Sequence, residues 1–177
     1  MKTALIFIGI IIVFVDVSGQ TKKTFQSTRV SFVIKNAGLN VNGSIGGLDG
    51  TMTIDSTSQL ISKIEGTLDA NTILTGINLR DNHLKKKDYF NVKDFPKIIM
   101  TSTEIKKSGR RKYTGVFDLT VKDITKKVTV PFSLSETGNI YKLNGEFSIN
   151  RLDYGLGESS IVLSDNVTIT LEVSAVK

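Results

Sequence analysis

The chain has 177 residues, 23 Lys and Arg against 17 Asp and Glu, a formal charge of +6, one histidine and no cysteine. Without thiols there can be no disulfide, zinc–thiolate centre, thiol catalysis or lipid-modified N-terminal cysteine, and a single imidazole is a poor start for any metal site. No tryptophan and no recognised nucleic-acid motif occur, and the basic runs are not interleaved with aromatics, so nucleic acid is not the expected partner.

In chain order, Lys2, the apolar run Ala4 to Val15 and the sequence Asp16-Val17-Ser18-Gly19 have the layout of a secretory signal peptide: a charged start, an apolar centre and a small-residue end. The run is shorter than the roughly 20 residues that cross a bilayer, and an uncleaved N-terminal anchor is the alternative. With residues 1–19 assigned to export, residues 20–177 form one domain, expected in the periplasm or outside the cell. The domain is long enough to build a core without cross-links.

Period-two alternation then dominates. Val30, Phe32 and Ile34 alternate with Arg29, Ser31, Val33 and Lys35; Met52 and Ile54 with Thr51, Thr53 and Asp55; Ile64, Gly66, Leu68 and Ala70 with Glu65, Thr67 and Asp69. The pattern returns in Ile98 to Ile105, in Phe117, Leu119 and Val121, in Val128 to Leu134, in Tyr141 to Ile149 and in Val167 to Ala175. About eight strands, each with one dry face, are joined by turns such as Gly46-Gly47, Ser108-Gly109 and Thr137-Gly138-Asn139; Asn42-Gly43 also reads as a turn. Strands at this spacing without long helices predict an all-β, antiparallel, eight-stranded barrel, in which closure removes exposed edges. Alternation does not say which face points inward. A lipid-facing outer-membrane barrel competes, but its aromatic girdles are missing and most apolar runs are too short.

The alternation fails at "TGINLRDNHLKKKDYFNVKDFP", Thr75 to Pro96. Leu79, His83, Leu84 and Lys87 have roughly helical spacing, with Thr75 or Asp81 as candidate caps, and Pro96 holds Phe95 extended before the next strand. One or two helical turns are expected, laying Leu84, Tyr89, Phe90 and Phe95 over one barrel mouth while the lysines face water.

Here the sequence resembles the YceI-like family of exported polyisoprenoid-binding proteins with a lipocalin-like barrel. The likeness runs through "TILTGINLRDNHLKKKDYFNVKDFPKIIMTSTEI" (72–105), "YTGVFDLTVKDITKKVTVPF" (113–132), "GEFSINRLDYGLG" (145–157) and "LSDNVTITLEVSA" (163–175). Asp123 and Lys127 stand where the family often has Gly and Pro, and Tyr89-Phe90-Asn91 where "FFD" is common. The resemblance implies an apolar cavity holding a long isoprenoid or other lipid, carried or sequestered in the cell envelope. Its candidate lining is Phe32, Ile34, Met52, Ile54, Leu84, Phe90, Phe95, Phe117, Leu119, Phe132, Phe147 and Ile169, with His83, Lys87 and Arg151 as mouth or head-group candidates. Arg151 is also expected to pair with Asp153. Gly66 and Gly145, at inward registers, either make room for ligand or mark a close strand approach.

No cofactor or metal is expected beyond the bound lipid. No Gly-x-Ser-x-Gly elbow or phosphate loop is present, so the chain is not read as an enzyme, although a lipid-active one using His83 stays a third possibility. The main alternative is a filled barrel that binds an anionic partner or surface through its basic turns, Lys85-Lys86-Lys87, Lys106-Lys107, Arg110-Arg111-Lys112 and Lys126-Lys127. Transient membrane-surface contact and a homodimer are further options.

Overall fold

The structure, a computed structural model, describes residues 19–177. Residues 1–18, on which the expected signal peptide falls, lie outside the described residues. Nine strands form one sheet: β1 (Gln20–Asn36), β2 (Leu39–Ile45), β3 (Asp49–Asp55), β4 (Ile61–Asp69), β5 (Lys97–Gly109), β6 (Lys112–Val121), β7 (Ile124–Thr137), β8 (Ile140–Asn150) and β9 (Leu163–Val176). Each pairs antiparallel with its neighbour in the order β2-β1-β3-β4-β5-β6-β7-β8-β9, and β1 also pairs with β9, which closes the barrel.

β2 and β3 share one edge of β1. Val30 to Asn36 pair with Ile45 back to Leu39, and Gln20 to Thr24 with Asp55 back to Thr51. They are two halves of one broken strand, bent at Gly46-Gly47-Leu48, where Gly47 takes a φ of +67°. The expected eight-stranded closed barrel is therefore what forms. β2 is not among the expected strands: Asn42-Gly43, a turn signal in the sequence, lies inside it, opposite Val33 and Phe32. The turn is Ala37-Gly38, with φ of +49° and +80°, the left-handed pair that a two-residue hairpin loop requires.

The apolar face is inside, the inverse of a lipid-facing barrel. On β8, Tyr141, Leu143, Gly145 and Phe147 are buried, while Lys142, Asn144, Glu146 and Ser148 are exposed. The strands run from a turn-bounded end, where β3 meets β4, β5 meets β6 and β7 meets β8, to an end covered by the long β4–β5 and β8–β9 connections.

The β4–β5 connection holds a 3₁₀ turn (Ala70–Thr72) and a short helix, α1 (Asn78–Leu84). The expected caps do not cap it. Ile77 occupies the cap position without a side-chain bond, and the Asp81 carboxylate instead accepts from the backbone N–H of Thr75 at 2.8 Å and from its hydroxyl. This folds the approach to the helix back onto its own second turn.

Candidate ligand-binding cavity

The two ends of the barrel are occupied differently. At the turn-bounded end Met52, Ile54 and Ile61 join Tyr113, Leu134 and Tyr141 in the buried core. Toward the other end the walls stand apart around a cavity of about 380 Å³.

Phe32 and Ile34 of β1, Phe117 and Leu119 of β6, Phe132 of β7, Phe147 of β8 and Ile169 of β9 line this cavity, and Leu84 and Phe90 enter it from the β4–β5 connection. Met52 and Ile54 do not line it. They face inward as the alternation requires, but lie past the floor of the cavity, where Met52 is 1% exposed. Phe95 is half-buried beside Pro96, outside the lining. His83 and Arg151 line the mouth, whereas Lys87 is exposed and does not.

Several lining residues were outside the sequence-based site. Leu48 and Ile73 lie in loops, where alternation gives no signal, and Leu143 continues a face already assigned inward. Phe25 has the wrong parity relative to Val30. An extra residue between Phe25 and Ser27 in the ladder with β9 restores it, so that Phe25 opposes Ala175 while Thr28 opposes Val173.

Glycines make room in two ways. Phe32 lies across Gly43, its registered partner on β2, and a Cβ there would stand 2.2 Å from the phenyl Cζ. Gly66 lines the cavity directly, whereas Gly145 belongs to a close strand approach, its missing Cβ position lying 3.2–3.4 Å from Phe132, Pro131 and Val130 atoms.

Polar groups in the lining are confined to the mouth: Asn36, Thr75, Arg80, His83, Arg151 and the Tyr89 phenol. Arg151 is a structural hub there. It is 3% exposed; its guanidinium donates to the carbonyls of Ser164, Leu156 and Glu158 at 2.8–3.0 Å and to Asp165 Oδ1 at 2.9 Å. Asp165 is thus its partner in place of the expected Asp153, which lies in the same 3₁₀ turn (Arg151–Tyr154) but is exposed. With its donors engaged by loop carbonyls and one carboxylate, Arg151 is committed to holding the β8–β9 connection.

Arg80 is turned inward on its own segment, Nε donating to Thr75 Oγ1 at 2.7 Å and Nη2 to the Thr75 carbonyl at 2.9 Å. His83 meets Tyr89 at 5.0 Å between ring centroids in a near-perpendicular contact. Tyr89 in turn covers Gly157, where a Cβ would come within 2.8 Å of the ring, and Gly157 N–H donates to the Asp88 carbonyl at 2.7 Å. The two connections are thereby joined over the mouth. In the same turn as Arg151, Tyr154 is buried with its hydroxyl unpartnered; burial, and then the charge of Asp153, push its pKa up to about 12.

An apolar interior beneath a ring of polar groups suits an amphiphile whose chain enters and whose head stays outside. No cluster of three or more His, Asp or Glu side chains that could hold a metal occurs among the described residues.

Comparison with known proteins gives a consistent result. The YceI-like domain family matches residues 22–175. The UPF0312 protein YE1254 of Yersinia enterocolitica is 30% identical over 164 residues, covering 88% of this chain and 84% of that protein. Among solved structures, BcnA of Burkholderia cenocepacia superposes with a TM-score of 0.78 at 23% identity, covering 84% of this chain and 96% of that one. A polyisoprenoid binding domain from Saccharophagus degradans superposes with a TM-score of 0.67 at 13% identity, covering 88% and 97%.

Proposed function

Because the chain belongs to the YceI-like domain family and its barrel encloses an apolar cavity under a polar mouth, we propose that it binds a long isoprenoid or other lipid chain, and carries or sequesters it in the cell envelope. The cavity carries the argument. At about 24 cal/mol per Å³, leaving 380 Å³ of apolar interior dry and unfilled would cost on the order of 9 kcal/mol, comparable with the whole stability of a domain. A filled barrel would recover that energy with a few larger side chains. A hydrocarbon occupant recovers it as well, and leaves water itself at about 0.8 kcal/mol per methylene.

The polyisoprenoid-binding function named for the Saccharophagus degradans domain supports the same chemistry on the same architecture. The confinement of polar lining to the mouth favours a head group left at the opening. The alternative of a filled barrel acting only through its basic turns needs an interior without space for a chain, and the mouth half of this one has that space.

The test is organic extraction of protein purified from its native host, followed by mass spectrometry. A long apolar lipid at near one per protein is expected. An extract empty of lipid, from protein that also fails to take up isoprenoid alcohols or fatty chains in vitro, overturns the reading.

A further inference from the structure

The walls of the mouth are held in a ring by three backbone contacts. Asp88 O accepts from Gly157 N at 2.7 Å, joining the β4–β5 connection to the β8–β9 connection; Val162 O accepts from Ala37 N at 2.7 Å, joining that connection to the β1–β2 turn; and Ser44 pairs with Leu74 at 2.9–3.0 Å, joining β2 back to the first connection. Large apolar side chains stand exposed around this ring: Leu39 after the β1–β2 turn, Leu74, Ile77 and Leu79 before and on α1, and Ile161 and Val162 before β9. Only two other large apolar side chains are comparably exposed among the described residues, Leu60 and Ile99, and both lie off the ring. Single exposed leucines are ordinary; six around one opening are a surface that needs an occupant.

The ring is continuous with the cavity wall. Ile73 lines the cavity immediately before exposed Leu74, Leu163 immediately after exposed Val162, and Val41 two residues along β2 from exposed Leu39. Charge is also placed to match. The segment from Thr75 to Pro96 carries Arg80, Lys85, Lys86, Lys87 and Lys93 against Asp81, Asp88 and Asp94, and Asp81 is buried. Lys85, Lys86 and Lys87 form no salt bridge among the described residues. Glu158 is the one carboxylate on the loop between Gly155 and Val162.

We propose that this apolar ring is a membrane-docking surface: it seats the mouth in the interfacial region of an anionic bilayer, with Lys85, Lys86 and Lys87 at the head groups, so that the lipid passes between bilayer and cavity without crossing water. The inference rests on the lipid-binding reading above and names the surface through which loading occurs. Apolar insertion supplies the salt-resistant part of the attraction and the lysines the salt-sensitive part.

The experiment is flotation of the purified protein with vesicles of phosphatidylcholine alone and of phosphatidylcholine with 30% phosphatidylglycerol. Leu39, Leu79 and Ile161 are 73%, 83% and 105% exposed, so changing all three to Ser leaves the core untouched. The L39S/L79S/I161S variant is expected to lose at least tenfold in binding to the anionic vesicles, while Leu60→Ser, away from the ring, binds as the parent does. Replacing Lys85, Lys86 and Lys87 by Gln is expected to weaken binding several-fold on anionic vesicles and to leave the weaker binding to neutral ones unchanged. Parent protein that does not float, or a ring variant that floats like the parent, overturns docking, as does a ring variant altered only in association with itself or another protein. Lipid extracted from the same samples reads the cargo separately. Cargo present without flotation sinks the docking surface alone, and cargo absent from protein that also takes up no lipid from the vesicles sinks the reading it rests on.

Discussion

The two ends of this barrel are closed by opposite means. At the turn-bounded end, inward side chains meet across the axis, and the closure is packing: Met52, Ile54, Ile61, Tyr113, Leu134 and Tyr141, with Tyr113 stacked on Phe132 at 5.3 Å and 9°. At the mouth the walls do not meet. The closure there is two connections held by directed polar contacts, the Arg151 hub, the Asp81–Thr75–Arg80 cluster and the Asp88–Gly157 bond. Packing fills space without regard to direction, whereas hydrogen bonds fix a lid while leaving the volume beneath it free. A binding barrel has use for both, one at each end.

Breaking the polar closure should have the largest effect. Arg151→Ala removes a buried guanidinium and the hydrogen bonds it gives to three carbonyls and Asp165; Asp165 is 38% exposed and can turn to water, so the cost lies mainly in the carbonyls left unpaired, at about 1–3 kcal/mol for each that stays buried. Arg151→Lys should recover only part of that, since a single ammonium cannot reproduce the guanidinium fork. Urea unfolding of both variants checks the order. If the two ends were held alike, the lysine variant would match the parent.

At the packed end, Met52→Ala should cost about 2–5 kcal/mol in the same assay, because the surrounding strands cannot collapse into the space. Its lipid content should stay near that of the parent, since Met52 lies below the cavity floor. Ile169→Trp makes the converse case: it adds bulk where the interior has room. Stability should change by less than about 1.5 kcal/mol while retained lipid falls at least tenfold, read by extraction and mass spectrometry. Loss of lipid from the Met52 variant and retention by the Ile169 variant would invert the assignment of the two ends.

Much of this division was beyond the reach of the sequence, for a specific reason. Alternation reports which face of a strand is dry, and it placed Phe32, Phe117, Phe147, Ile169, Met52 and Ile54 alike inside. It carries no information on depth along the axis, and depth separates the lining phenylalanines from the two β3 residues in the plug. β2 was missed although Leu39, Val41 and Ile45 do alternate, because the glycine among them looked like a turn. The three-dimensional reason for Gly43 is the ring of Phe32, eleven residues back in the chain yet directly opposite in register. The mouth was legible in outline, since Leu84 and Phe90 do enter the cavity and His83 stands at its opening; the edge contact of His83 with Tyr89 was not legible. The ion-pair partner of Arg151 was not, because the β8–β9 connection folds back to bring Asp165, and not neighbouring Asp153, against the guanidinium.

The smallest effect expected is a difference in the pH response of the two regions. Tyr154, beside the Arg151 hub, has its pKa raised from 10.0 to about 12 by burial and by Asp153. A raised pKa in the folded state means that the stabilisation is whole below pH 10 and is lost as pH climbs from about 10 to 12. Glu65, on the outer wall between Lys22 and Lys63, has its pKa lowered from 4.5 to about 2 by hydrogen bonds from Lys63 and then Lys22. Its contribution is present above pH 4.5 and disappears as pH falls toward 2; with the side chain 35% exposed, it is worth less than about 1 kcal/mol. Tyr154→Phe should flatten the alkaline limb of a stability profile and Glu65→Gln the acid limb, each leaving the other unchanged. A Tyr154→Phe variant that still lost stability between pH 10 and 12 as steeply as the parent would show that the mouth is not where that proton is held.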